Sequence, residues 1–137
     1  MTLSKIICLL FLVLMGCTTG NKDALKLTQY LNQGSKLYQQ HCSNCHQTDG
    51  SGLGQLIPPL NNNFSSENIV LTVCSIKNGL EGVITVEDKT YDRIMPANRQ
   101  LTSLEIAQIT TYITNSWGQQ NGLTDVLITD SILTRCN

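Results

Sequence analysis

Cys42-Ser43-Asn44-Cys45-His46 constrains this chain more than any other stretch of its sequence. Two cysteines three apart share one face of a helical turn, so both thiols can meet one edge of a flat ligand. The next residue, His46, can then turn its imidazole beneath the centre of that ligand. CxxCH is the attachment signature of c-type haem, here one per chain, bound through Cys42 and Cys45 with His46 on iron. Two other chemistries use a similar spacing. A zinc knuckle would need two further ligands from His41, His46, Cys74 and Cys136, and no second closely spaced pair exists. A dithiol redox centre would need the βαβ surroundings of thioredoxin-like chains, which the sequence lacks.

The start of the chain places the protein outside the cytoplasm. Lys5 precedes an apolar block, Ile6 to Met15, that is too short to span a bilayer and suits the core of an export leader. Leu14-Met15-Gly16-Cys17 resembles the lipobox of bacterial lipoproteins. The resemblance implies that residues 1–16 are removed, that Cys17 carries lipid, and that residues 17–27 form a tether. Each buried lipid methylene contributes about 0.8 kcal/mol, so several chains anchor durably. The alternatives are a secretory leader cut elsewhere or an uncleaved anchor. Thr18 is not the Asp that marks inner-membrane retention in lipoproteins, which favours the outer membrane, facing the periplasm, by resemblance only.

Counting then narrows the remaining chemistry. The sequence holds two histidines and three methionines. His41 sits beside Cys42 on the proximal side and cannot cross to the other face of a porphyrin, so it reads as a helix-surface residue. Met1 and Met15 leave with the leader, so Met95 is the remaining thioether, and elimination gives His46 and Met95 as the axial pair. The alternative is a plain core methionine at 95. His/Met ligation raises the potential above that of a bis-His iron. Of the cysteines, Cys74 and Cys136 are left over, and an even remainder in an oxidising compartment points to a disulfide. Two unrelated thiols would be the alternative.

Helical periodicity predicts an all-α domain of three to five short helices. The first spans about Thr28–Cys45, with Tyr30, Leu31, Gly34, Leu37, Tyr38 and His41 recurring at helical spacing. A second, about Ser66–Lys77, carries Ile69, Val73 and Ile76 and stops at Asn78-Gly79. Gly82 to Tyr91 alternates and turns near Asp88, as a small hairpin would. Thr102-Ser103-Leu104-Glu105 is a capping box opening a helix to about Trp117, with Ile106, Ile109, Ile113 and Trp117 on one face. A short helix from about Thr129 follows. Nine basic against ten acidic residues leave no cationic surface for nucleic acid. With 14% charged residues the chain is too apolar for disorder, yet its 5% aromatic content is thin core material. A haem at the centre would make up that shortage.

These features together resemble a class I cytochrome c over roughly Thr28 to Arg135. Asp49-Gly50-Ser51-Gly52-Leu53-Gly54 and Ile57-Pro58-Pro59-Leu60 match the family's loop after CxxCH. The match implies that the Pro58 carbonyl accepts the His46 Nδ1–H and that Leu60 packs on the ring. Gly34 matches the position where the terminal helices cross, which predicts Gly34 and Tyr38 against Ile109 and Tyr112. Tyr91 to Ala97, with Met95-Pro96-Ala97, and Asn115-Ser116-Trp117-Gly118 are similar to a bacterial branch of free carriers and of cytochrome domains on oxidases and dehydrogenases. The implied layout is a cytochrome domain at 28–118 with an extension at 119–137 packed on it. The implied role is one-electron transfer to membrane-bound oxidase, dehydrogenase or reductase partners, with no small-molecule substrate at the iron. A dedicated haem subunit of a larger oxidoreductase uses the same chemistry. A peroxidase needs an open iron site or a second CxxCH. A gas or redox sensor would let ligand displace Met95.

Overall fold

The computed structural model describes residues 21–61 and 66–136. The leader at 1–16 and the lipid anchor at Cys17 lie outside the described residues. Five helices follow in order, α1 (Lys22–His41), α2 (Ser43–His46), α3 (Ser66–Asn78), α4 (Ser103–Thr114) and α5 (Val126–Leu133). One antiparallel hairpin, β1 (Ile84–Val86) and β2 (Lys89–Tyr91), sits between α3 and α4. This is the class I cytochrome c arrangement. Among the described residues no helix is long and apolar enough to cross a membrane.

Helix α1 starts at Lys22, six residues before the expected Thr28, so Lys22 to Leu27 are helix and not tether. Asn21 caps it by accepting the Asp23 N–H at 3.1 Å. At the far end Cys42 leaves the helical conformation at φ −123°, so the turn bearing Cys45 is the separate α2. Helix α4 opens as expected. Thr102 accepts the Glu105 N–H at 3.3 Å while the Glu105 carboxylate accepts the Thr102 N–H at 2.8 Å. It stops at Thr114, three residues before the expected end. There the Asn115 side chain donates to the carbonyls of Thr111 and Gly122, at 2.8 and 2.7 Å, and accepts the Gly122 N–H. Helix α5 begins at Val126, three residues before the expected Thr129, because Asp125 accepts the Leu127 N–H at 2.9 Å. The hairpin turns at Glu87-Asp88, both in left-handed backbone (φ 50° and 61°), as a two-residue primed turn requires.

The core is the crossing of α1 and α4, extended by α3 and α5. Leu37, Tyr38, Val73, Ile76, Leu101, Ile106, Ile109, Ile113 and Ile132 form one cluster. Gly34 marks the closest approach. A Cβ there would stand 2.1 Å from the Gln108 carbonyl oxygen and 2.8 Å from the Tyr112 Cβ. The neighbour of Gly34 is thus Gln108 and not Ile109, which packs within the same cluster as Tyr38. The helix-propensity advantage of alanine, about 1 kcal/mol, is too small to offset that overlap with backbone. Gly34→Ala is therefore expected to lower stability by about 1–3 kcal/mol in urea melts monitored by far-ultraviolet circular dichroism.

Cys74 on α3 and Cys136 beyond α5 are joined as a disulfide with Cα atoms 5.5 Å apart, closing a separation of 62 residues. A loop of that length carries a large closure entropy in the unfolded chain, on the order of 4 kcal/mol. Cys74→Ser/Cys136→Ser is expected to lower the Tm by roughly 10–20 °C in calorimetry while leaving the visible spectrum of the holoprotein unchanged.

Candidate functional site

Two segments, each fixed by its own backbone bonds, face one cleft. The first is α2 and the loop behind it. The Cys42 N–H donates to the Tyr38 carbonyl at 2.9 Å, so the motif follows directly from α1. Gln47, at φ 64°, ends α2, and its carbonyl accepts the Tyr38 hydroxyl at 2.6 Å. The loop then folds back, with Gly52 N–H on the His46 carbonyl at 3.0 Å and Leu60 N–H on the Gly50 carbonyl at 2.7 Å. Gly52 lies so close under the returning strand that a Cβ would stand 2.3 Å from the Ile57 carbonyl oxygen and 2.7 Å from that of Pro58. This close approach sets the Pro58 carbonyl 3.1 Å from His46 Nδ1, as a hydrogen-bond acceptor.

Trp117 supports the same loop from below. Its ring meets Gly50, where a Cβ would lie 2.7 Å from the indole, and packs edge-on to Tyr38 with centroids 5.6 Å apart. Tyr112 completes the aromatic group at 5.4 Å from Tyr38 and 6.0 Å from Trp117. The few aromatic residues of the chain are thus concentrated under the motif.

The second segment carries Met95. Its N–H and carbonyl pair with the carbonyl and N–H of Leu80 at 2.9 and 3.0 Å. Gly79, at φ 81°, passes so close that a Cβ would stand 2.7 Å from the Met95 carbonyl oxygen. The Asn98 N–H on the Ile76 carbonyl, at 2.9 Å, and Lys77 on the carbonyls of Arg99 and Leu101 fasten the rest of this loop to the end of α3.

Between them lies a cleft of about 450 Å³, within the range of small-molecule and cofactor sites. Cys42, His46, Leu60, Ile76, Met95 and Ile113 are among its lining, and Pro58 borders it. Cys45 is exposed and outside the lining, and His41 is exposed on the surface of α1. The hairpin contributes Ile84 to Glu87. Among the described residues neither Lys nor Arg lines the cleft, and Glu87 is the one acidic side chain there.

The residues fit a covalent porphyrin. The wall is mainly apolar, as a porphyrin face requires. Burial holds the His46 imidazole below the usual histidine pKa, against the opposing effect of its bond to Pro58, and a neutral imidazole is the form that binds metal. The bond from Nδ1 to a carbonyl fixes the tautomer and leaves Nε2 as the metal-binding nitrogen. Ser75, buried on α3 in the cleft wall, has a hydroxyl with no protein partner, and the carboxylates of a porphyrin are acceptors of the kind it lacks. The competing chemistries fit less well. The Cys74–Cys136 bond removes two of the four ligands available to a zinc knuckle. A catalytic dithiol needs a lowered thiol pKa, whereas burial, then the neighbouring Cys45, pushes the free Cys42 thiol up to about 12.

Pro58 and Leu60 are legible as partners of the motif by family pattern. Gln47 and Ser75 carry no signal in the sequence, and Gly52 carries only a weak one, as one glycine in the Asp49–Gly54 run.

Comparison with known proteins agrees with this geometry. The family model described as Cytochrome c matches residues 31–117. Cytochrome c-552 of Thermus thermophilus is 32% identical over 93 residues, covering 62% of this chain and 68% of that protein. A second cytochrome c-552 of that species, from another strain, is likewise 32% identical, with 60% of its length covered. The cytochrome c subunit of the quinone alcohol dehydrogenase of Gluconacetobacter polyoxogenes is 31% identical over 91 residues, 64% of this chain but 19% of that subunit. The chain thus spans roughly two thirds of the c-552 proteins and about a fifth of the dehydrogenase subunit.

Proposed function

The chain belongs to the cytochrome c family, and from that premise we propose that it carries single electrons with its iron held between His46 and Met95, and that Cys17 ties it to a membrane surface. Covalently bound haem c and electron transfer come with the family itself. The observation that carries the ligand reading is that His46 and Met95 line one cleft from two segments, each fixed by its own backbone bonds. When bound, the haem supplies a reversible Fe(III)/Fe(II) couple.

The chain's own residues do the rest. Cys42 and Cys45 hold the cofactor by thioether bonds, so it is not lost on dilution. Pro58 orients His46 and raises its basicity as a ligand. Met95, positioned by Leu80 and Gly79, fills the distal position, so no substrate meets the iron. The apolar wall keeps water from the metal and favours the less charged reduced state. The exposed Cys45 side is where the bound group would come nearest to solvent and to a redox partner. The lipid on Cys17 would confine the carrier to the cell envelope, facing the periplasm, and concentrate it near membrane-bound oxidases, dehydrogenases or reductases.

The test is a pyridine haemochrome spectrum with intact mass after membrane extraction. One haem per chain and a mass that includes haem and acyl chains is expected. A colourless polypeptide would overturn the carrier reading, and a mass with haem but no lipid would overturn the anchor alone. The similarity to the dehydrogenase subunit favours a second reading, a dedicated haem subunit of a dehydrogenase. That reading expects the protein to co-purify in fixed ratio with a dehydrogenase after mild detergent extraction. The free-carrier reading expects it to elute alone.

A further inference from the structure

We propose that the end of the molecule formed by the starts of α1 and α5 rests on the lipid bilayer, with α1 as a rigid spacer holding the haem cleft away from it. The proposal rests on the reading of Cys17 as the lipid anchor. The family match covers 31–117, so the first turns of α1 and the whole of α5 are this chain's own additions. The two additions are joined to each other. The Lys26 ammonium pairs with the Asp125 carboxylate, and that same carboxylate caps α5. Lys26 also lies 5.7 Å over the Tyr30 ring. The inner side of α5 is fixed to the core through Thr129 and Ile132, and the tail beyond it through the disulfide to α3.

Its outer side is apolar where the two additions meet. Leu127 is 75% exposed and Ile128 52%, and Leu25, next to Lys26, is 61% exposed. Single exposed leucines are ordinary. Three large apolar side chains grouped about one ion pair, on segments outside the family match, need an occupant. Chain length supplies it. Cys17 precedes the α1 cap Asn21 by four residues, and four residues reach at most about 14 Å. An acylated Cys17 therefore brings this end of α1 to the headgroup region. The 20 residues of α1 rise about 30 Å, so Cys42 emerges from the opposite end of the rod. Tethering gives the three side chains a millimolar-range effective concentration at the bilayer, enough for a weak insertion to persist.

Hydrogen exchange followed by mass spectrometry tests this on the full-length lipidated holoprotein in phosphatidylcholine vesicles. The reference is the same holoprotein from Thr18 onward, exported with an ordinary cleavable leader. Amides of residues 22–29 and 125–130 are expected to exchange at least about threefold more slowly on vesicles, with the hairpin at 84–91 unchanged. Leu127→Glu/Ile128→Glu is expected to lose that protection while still floating with the vesicles. Wild-type protein that floats without protection at either segment overturns the proposal, as does protection of the hairpin instead. Protection that also appears in the unlipidated protein without vesicles overturns it in favour of a second copy. A chain that carries no acyl mass and does not float defeats the anchor reading first, and this proposal with it.

Discussion

Cys42→Ala/Cys45→Ala, made in the cytoplasm without its leader and purified free of haem, is expected to be largely unfolded. The reason lies in what faces the cleft. Leu60, Ile76, Met95 and Ile113 border a volume of about 450 Å³, and all four belong to or pack on the main core cluster. At about 24 cal/mol per Å³, leaving that volume without its occupant costs on the order of 10 kcal/mol as an upper bound. A domain of this size has about 5–15 kcal/mol in total. The disulfide and the α1–α4 crossing do not offset such a loss, because the crossing itself leans on Ile109 and Ile113 beside the cleft wall. Far-ultraviolet circular dichroism should show less than about half the helix of the holoprotein, with no cooperative urea transition. A haem-free chain that unfolds cooperatively near the holoprotein midpoint would show that the cofactor is not the centre of the core.

The features readable in the sequence are those set by local chemistry. The CxxCH spacing, the capping box at Thr102 and the glycine at 34 each act within a few residues or at one helix contact, so their meaning survives without coordinates. The errors fall where a distant partner decides. Periodicity carries α4 on to Trp117, but Asn115 turns back to bond Gly122, and Trp117 takes a left-handed backbone to reach Gly50 and Tyr38. The polar composition of residues 18–26 reads as tether, yet Lys26 is held by Asp125, 99 residues away. The start of α5 is local, an Asp cap at 125 that the apolar run after it conceals. In the site, Pro58 is visible as a family position. The device that presents its carbonyl, Gly52 pressed under Ile57 and Pro58, is a matter of three-dimensional closeness.

Met95→Ala separates the carrier reading from its rivals. The wild-type reduced protein is expected not to bind carbon monoxide at neutral pH, because the thioether fills the distal position. Met95→Ala should bind it, seen as a shift of the Soret band on gassing. The variant should fold, since Met95 is positioned by backbone bonds to Leu80 that its side chain does not make, and haem remains attached through Cys42 and Cys45. Met95→His gives the complementary result. Exchange of thioether for imidazole removes the preference for Fe(II), so the midpoint potential should fall by on the order of 0.1 V or more, within the ~0.8 V range that axial ligands command. Both variants alter the iron and leave the α1–α4 crossing untouched, so their urea midpoints should stay closer to wild type than that of Gly34→Ala. If reduced wild-type protein binds carbon monoxide as readily as Met95→Ala, then Met95 is not on the iron, the distal site is open, and the chain is a ligand-binding haem protein.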